Sequence, residues 1–348
     1  MNRIEVAGKW IGAGQPCYVV AEAGANHNRD LDIAKELIGR AAAAGADAVK
    51  FQTYSAETLY SKKTPRFKYL EAPGNVSTYE LLKSLEIPRN WHAELAEYCA
   101  QRGVVFFSSP FDFRAVDELD EVGVPLFKIA SFEIVDVGLI RHVASKGKPV
   151  IISTGMATLA DIEDAIEACH SVGNEQVVLL QCASLYPAPA RIINLCSMDT
   201  MRIAFRCPVG LSDHTTGITI AIAAAARGAA VLEKHYTLDH TMPGPDHPFA
   251  IEPDELMSMV RAIREVEEAL GDGRKVGPSE EEAQEMFRLG RRSLVAAAPI
   301  PAGTILTADR LAVKRPGYGI RPKDINLVVG RAARVDIEED DVITWDLI

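Results

Sequence analysis

Gly210-Leu211-Ser212-Asp213-His214-Thr215 and Leu232-Glu233-Lys234-His235-Tyr236 are the stretches whose reading decides the fold. Each closes an apolar, strand-like run, and a single helix-length segment, Thr216 to Gly228, separates the two. Strand, helix, strand is a βαβ unit, so the two strands run parallel about 5 Å apart. His214 and His235 then stand at the same carboxyl-terminal edge. Taken singly, either histidine reads most simply as a loop residue satisfying its own hydrogen bonds. Side by side, flanked by Asp213 and Glu233, they form a candidate divalent-metal site.

Working outward, the same alternation runs from Tyr18 to Leu270. Strand-like runs fall at Tyr18–Ala23, Ala48–Gln52, Val104–Ser108, Leu126–Ala130, Val150–Thr154, Val177–Gln181, Val209–Ser212 and Val231–His235. Amphipathic segments such as Leu31–Ala44, Trp91–Arg102, Leu159–Val172 and Asp254–Leu270 lie between or after them. Eight such units predict an α/β fold of the (β/α)8 TIM-barrel class. The alternative is a doubly wound open sheet, which announces itself with a glycine-rich first turn. Here the first turn is Glu22-Ala23-Gly24-Ala25-Asn26-His27, without that pattern.

The strand ends argue for the barrel more strongly than the count. They carry Glu22, Lys50 and Gln52, Ser108 and Ser109, Lys128 and Ser131, Ser153 and Thr154, Gln181, Ser212 to His214, and Glu233 to His235. Barrel enzymes place their chemistry at this edge. Side chains alternate along a strand, so Lys50 shares a face with Gln52, Ser212 with His214, and Glu233 with His235. If those faces point inward, lysines, histidines and glutamates line one pocket. A single polar strand end is as well explained by solvent exposure, but a succession of them is not. The long stretch from Thr53 to Thr78 is a candidate lid or a decorated surface turn.

Beyond Gly271 the pattern changes. Residues 1–275 are read as the barrel and 276–290 as a linker. A small module spans 291–348, punctuated by Pro299, Pro301, Gly303, Pro316, Gly317, Gly319 and Pro322. A module of that size is marginal alone and is expected to need a docking surface. The formal net charge of -11 argues against a nucleic-acid or anionic-membrane binder. The six cysteines show no zinc-like spacing and read as reduced thiols, which with no signal-peptide pattern and no long apolar run predicts a cytoplasmic protein.

Several of these segments together resemble the sialic acid synthase (N-acetylneuraminate synthase) family over nearly the whole length. They are Glu22 to His27, Val49-Lys50-Phe51-Gln52, Phe127-Lys128-Ile129-Ala130-Ser131, Ser153-Thr154-Gly155-Met156, Gly210 to His214, Glu233-Lys234-His235 and Pro243-Gly244-Pro245-Asp246. The terminal module, with Lys314-Arg315-Pro316-Gly317, resembles the family's antifreeze-like (SAF) domain. The resemblance implies a transferase that condenses phosphoenolpyruvate with an N-acetylated hexosamine, releasing phosphate and giving a nine-carbon 2-keto-3-deoxy sugar acid. It implies a divalent metal on His214 and His235, Mn²⁺ first and Mg²⁺ or Co²⁺ as alternatives. It also implies a domain-swapped homodimer whose antifreeze-like domains cap the partner's barrel. By the same resemblance, phosphoenolpyruvate falls on Lys50, Lys128, Ser131 and Ser153. The sugar falls on Glu22, Gln52, Tyr186, Asp246 and the partner's Arg315.

The residue chemistry agrees. Phosphate and carboxylate call for cations and hydroxyls, offered by Lys50, Lys128, Lys234, Ser109, Ser131, Ser153 and Ser212. Glu22 and Glu233 are candidates for proton transfer or for holding sugar hydroxyls. Ser184 stands where some relatives carry Asn, Phe249 where several carry a small residue, and Arg291 or Arg292 near where the family has lysine. The acceptor therefore stays open between N-acetylmannosamine and a diacetamido hexose of the legionaminic or pseudaminic type. Two rivals remain, a class I pyruvate aldolase and a non-catalytic binding protein. The first finds no lysine at Gln181-Cys182, and the second leaves the ionisable strand ends without a task.

Overall fold

Strands buried on both faces mark a parallel sheet covered by helices, and eight of them build the first of two units in this computed structural model. The structure describes residues 3–65 and 77–348. The units are Met1–Gly271 and Asp272–Ile348.

A short antiparallel hairpin, β1 (Ile4–Val6) and β2 (Lys9–Ile11), opens the first unit. The barrel strands are β3 (Tyr18–Gly24), β4 (Ala48–Thr53), β5 (Val105–Pro110), β6 (Phe127–Ile129), β7 (Val150–Ser153), β8 (Val177–Cys182), β9 (Val209–Asp213) and β10 (Val231–His235). Their order is β5-β4-β3-β10-β9-β8-β7-β6. The first barrel strand pairs with the last, from Val231 opposite Tyr18 to His235 opposite Glu22. β5 and β6 lie in contact without a hydrogen-bonded ladder, so the ring is nearly closed. This is the expected barrel, with strand ends shifted by one or two residues, as where β5 runs on to Pro110 opposite Thr53.

Helices follow the strands and cover them, among them Leu31–Ala43, His92–Arg102, Leu159–His170 and Pro253–Leu270. Local chemistry fixes their starts. Asp30 accepts from the backbone N–H groups of Asp32 and Ile33, and Thr158 with Asp161 forms a capping box. Gly210 sets the approach of β9 to β10, since a Cβ there would fall 2.0 Å from the Val231 carbonyl oxygen. That contact brings His214 beside His235.

The hairpin was not anticipated. It buries Ile4, Val6 and Ile11 in the barrel core, and Lys9 Nζ meets Asp47 Oδ1 at 2.6 Å. Asp47 precedes β4, so the hairpin sits at the amino-terminal end, away from the polar strand ends. After β4 the chain forms short helices at Ala56–Leu59 and Thr78–Leu85. The centre of the candidate lid, residues 66–76, lies outside the described residues.

The second unit has its own small core, including Leu294, Ile300, Leu306, Ile320 and Ile343. It is organised by the antiparallel pair β11 (Ser293–Ala296) and β12 (Leu311–Lys314). The stretch 276–290 contains helices Glu280–Gln284 and Met286–Gly290. Its end is tied to the module, where Gly317 N donates to the Arg288 carbonyl at 2.7 Å. Among the described residues no helix is long and apolar enough to cross a membrane, and all six cysteines are free thiols.

Candidate active site at the carboxyl-terminal mouth

Alternation along the strands decides which side chains meet. Glu22 of β3, Lys50 and Gln52 of β4, Ser109 of β5, Lys128 of β6 and Ser153 of β7 turn into one pocket. Ser212 and His214, Glu233 and His235 enter it from β9 and β10, with Ser131 and Tyr186 from the loops. Every one of these is an expected site residue.

A compact charge cluster forms its floor. Lys50 Nζ lies 2.9 Å from Glu22 Oε2, 3.7 Å from Glu233 Oε2 and 3.2 Å from Ser109 Oγ. Lys128 Nζ donates to Ser153 Oγ at 2.6 Å and to the Ile129 carbonyl at 2.7 Å, with Glu233 Oε1 at 3.9 Å. Ser212 Oγ donates to Glu233 Oε1 at 3.0 Å, and Gln52 Nε2 to Glu22 Oε1 at 2.7 Å. Burial alone would depress the Lys50 ammonium, but Glu22 and Glu233 hold its pKa above the ordinary value. For Lys128 burial wins over the attraction of Glu233, and its pKa falls. Burial pushes the Glu233 carboxyl up, but Lys128 and Lys50 bring it below its usual range.

Ser131, Ser184 and Gly155 form a polar corner beside this floor. Gly155 N donates to Ser131 Oγ at 3.0 Å. A Cβ at Gly155 would fall 2.2 Å from Ser184 Oγ and 2.8 Å from Ser131 Oγ. Ser184 Oγ is buried without a hydrogen-bond partner. Asp246 joins from the loop after β10, its Oδ2 lying 3.4 Å from His235 Nδ1. A Cβ at Gly24, φ +52°, would come within 3.5 Å of Glu22, Gln52 and Asp246 together. Phe249 does not line the pocket. It is buried behind Tyr186 and His235, ring centroids 5.6 and 5.1 Å away.

Two residues are corrected. Lys234 does not face the pocket, and Asp213 does not flank the histidines. Both alternate to the outer face of the barrel, where Lys234 Nζ meets Asp213 Oδ2 at 2.8 Å and the Thr215 carbonyl at 2.7 Å. Arg315 belongs to the second unit, exposed directly after β12. Glu133 was missed. Half-buried just past Ser131, it has its carboxyl pushed up to about 7 by burial, against the pull of Lys128. The acidic residue two positions beyond a polar strand end was the available signal. Phe111, which lines the pocket, carried no signal beyond following β5.

The two imidazoles fit a metal. Their centroids lie 5.2 Å apart, edge to face. His214 Nδ1 is 2.9 Å from the Ala183 carbonyl oxygen, which can only accept, so Nδ1 carries the proton and Nε2 the free lone pair. His235 Nδ1 is buried with no well-aligned hydrogen bond, its nearest acceptor being Asp246 Oδ2 at 3.4 Å. Among the described residues no group of three or more His, Cys, Asp or Glu side chains is arranged to hold a metal ion. The remaining positions would fall to water and substrate.

The NeuB family model matches residues 37–275, and the SAF domain model matches 291–348. The chain belongs to the NeuB family. It is 40% identical over 343 residues to the N,N'-diacetyllegionaminic acid synthase of Legionella pneumophila, covering 97% of this chain and 96% of that one. It is 39% identical over 345 residues to the human N-acetylneuraminate-9-phosphate synthase, covering 98% and 95%. The solved N-acetylneuraminic acid (sialic acid) synthetase of Leptospira borgpetersenii, in complex with citrate, superposes with a TM-score of 0.74 at 34% identity. That match covers 82% of this chain and 95% of that one.

Proposed function

We propose that this protein is a transferase condensing phosphoenolpyruvate with an N-acetylated hexosamine, N-acetylmannosamine or a diacetamido relative, to a nine-carbon 2-keto-3-deoxy sugar acid. The observation that carries the reading is one mouth holding two buried lysines, Lys50 and Lys128, beside an adjacent histidine pair. The names of its relatives point the same way.

Lys50 and Lys128 would take the phosphate and carboxylate of phosphoenolpyruvate, with hydroxyls from Ser109, Ser131, Ser153, Ser184 and Ser212. Glu22, Gln52, Tyr186 and Asp246 would hold the acceptor. In the reaction C3 of phosphoenolpyruvate adds to the open-chain aldehyde. Water then adds at C2, and the tetrahedral adduct expels inorganic phosphate. Glu22 and Glu233 stand close enough to Lys50 to move a proton or to hold the attacking water. His214 and His235 would hold a divalent cation, Mn²⁺ first, which would supply Lewis acidity toward the acceptor's carbonyl oxygen.

The expected homodimer, in which Arg315 of one chain serves the partner's site, stays part of this proposal on the strength of the family resemblance. Mixing Arg315→Ala with His214→Ala chains, each inactive alone, should restore activity on subunit exchange. No recovery after verified exchange would mean that Arg315 does not act in trans.

The assay that tests the function follows phosphate release from phosphoenolpyruvate across a panel of N-acetylhexosamines. Release should need an acceptor, stop on chelation and return with Mn²⁺. Full activity in protein shown by elemental analysis to be metal-free would sink the metal assignment. The aldolase rival has one observation in its favour, the buried Lys128 amine with its lowered pKa. Borohydride trapping of a pyruvate adduct on Lys128 would decide for that rival.

A further inference from the structure

Between β10 and the helix Pro253–Leu270 the chain runs through residues 236–252 without a helix or strand, held only by a bridge from Tyr236 to Ile251. Asp246, which faces His235, belongs to this loop. A loop of that length carries much conformational freedom, so Asp246 holds its place only where the backbone beside it is anchored. From Leu238 to Pro248 one residue is buried, His247, and its exposure is 0%.

His247 ties the loop at two points. Its Nδ1 lies 2.6 Å from Thr237 Oγ1, at the start of the same loop. Its Nε2 reaches Asn28 Oδ1 at 3.4 Å, in the loop after β3. A neutral imidazole has one donor and one acceptor, and a hydroxyl or an amide can take either role toward it. Burial lowers the pKa of the ring, against the pull of Asp246 and Asp239, and so keeps it neutral. Gly244 completes the clamp. At its φ of +151° the chain folds over the ring, where a Cβ would fall 2.7 Å from His247 Cδ2 and 3.1 Å from Nε2. The loop after β3 is itself held, since Asn26 Nδ2 donates to the Tyr236 carbonyl at 2.9 Å. Asp246 is thereby brought to Glu22 and Gln52, the three converging at Gly24.

We infer that His247 is a positioning residue of the site: clamped between Thr237 and Asn28 and covered by Gly244, it fixes the Asp246 carboxylate at the mouth. Its own ring does not line the pocket. The inference rests on the condensation proposed above, in which Asp246 holds the acceptor. A misplacement of about 1 Å in a group that orients a substrate can cost about a hundredfold in rate. Lys50 and Lys128 stand on β4 and β6, apart from the clamp. Loss of His247 should therefore touch the acceptor and spare phosphoenolpyruvate.

The test is a double-mutant cycle on phosphate release, with N-acetylmannosamine and a diacetamido hexose as acceptors. His247→Phe fills the place of the ring without either bond. It should lower kcat/KM for the better acceptor about ten- to hundredfold. Its dissociation constant for phosphoenolpyruvate, read by calorimetry, should stay within about twofold of the parent's. His247→Asn sets an amide where Nδ1 stands, keeps the Thr237 bond and should recover most of the loss. Added to Asp246→Ala, His247→Phe should cost no further activity, because the carboxylate it positions is gone. If a thermal melt shows that His247→Phe does not fold, Thr237→Val tests the same bond from the other side. An unchanged acceptor constant in the folded variant overturns the inference. So does a loss additive with that of Asp246→Ala, or an equal weakening of phosphoenolpyruvate. Any of these would make His247 a residue of the fold alone and leave the condensation intact. No release by the parent protein with any N-acetylhexosamine would instead remove the condensation, and this inference with it.

Discussion

Lys234 and Lys50 are both buried in the barrel, but they are buried differently. On the outer face Lys234 meets Asp213 and the Thr215 carbonyl at 2.8 and 2.7 Å. On the inner face Lys50 is spread over Glu22 at 2.9 Å, Ser109 at 3.2 Å and Glu233 at 3.7 Å. Glu233 Oε2 there makes only that longer ion pair and no close hydrogen bond. The outer pair is matched at close range, with Asp213 Oδ1 also taking the Thr215 N–H, and it faces away from the mouth. The inner cluster keeps donors and acceptors only partly used, which costs stability and leaves capacity for an anionic substrate.

The sharpest way to break this comparison is to split the outer pair. Lys234→Met strands the Asp213 charge between barrel and helices and should cost about 3–5 kcal/mol of stability. The double variant Lys234→Met, Asp213→Leu should recover most of it. Urea denaturation measures both. A single variant as stable as the parent would mean that Asp213 is hydrated.

The inner face should behave oppositely. His214→Ala and His235→Ala should each lose roughly a hundred- to thousandfold in kcat/KM, the scale of several kcal/mol of lost transition-state stabilisation. Their melting curves should stay close to the parent's, because neither ring is saturated by the scaffold. Unfolding of either variant would make the histidines structural instead.

Next in size come the floor lysines. Lys50→Ala and Lys128→Ala should each weaken phosphoenolpyruvate about ten- to hundredfold, the worth of a charge-assisted bond of about 1.5–3 kcal/mol. Calorimetry reads the dissociation constant directly. An unchanged value for Lys128→Ala would leave Lys50 as the only anion-binding lysine of the two.

Most of the inner face was legible in the sequence, because a period of two tells which residues of Lys50-Phe51-Gln52 or Glu233-Lys234-His235 point together. The same rule, applied to Lys234 and Asp213, would have placed both on the outer face. They were drawn toward the site because charge was read without alternation. The hairpin Ile4–Ile11 escaped for another reason. Two three-residue strands carry almost no periodic signal, and their burial follows from the open amino-terminal end of a barrel they happen to cover. Glu133 and Phe111 lie just beyond strand ends, where side-chain direction depends on the turn and not on any repeat.

The smallest effect concerns two histidines outside the pocket that are buried in the fold, His27 and His92. His27 sits against Phe51 and Trp91, with ring centroids 6.1 and 5.9 Å away. Its Nδ1 accepts from Arg29 N at 2.9 Å. Burial first, and Arg29 second, lower its pKa to about 4. His92, bonded to Thr53 Oγ1 at 3.1 Å, is lowered to about 4 by burial and by Arg89. Each folded-state pKa lies below the unfolded value near 6.5. Above that value the neutral rings contribute in full. As pH falls from about 6.5 toward 4 the unfolded chain takes up protons first, and stability is lost. Between pH 6.5 and 5.5 each histidine should cost about 1 kcal/mol. His27→Phe keeps the ring contacts and forgoes the titration. It should therefore flatten the pH dependence of urea stability over that interval by about one histidine's share, while leaving that of His92 in place. An unchanged slope would mean that His27 takes up its proton in the folded protein too.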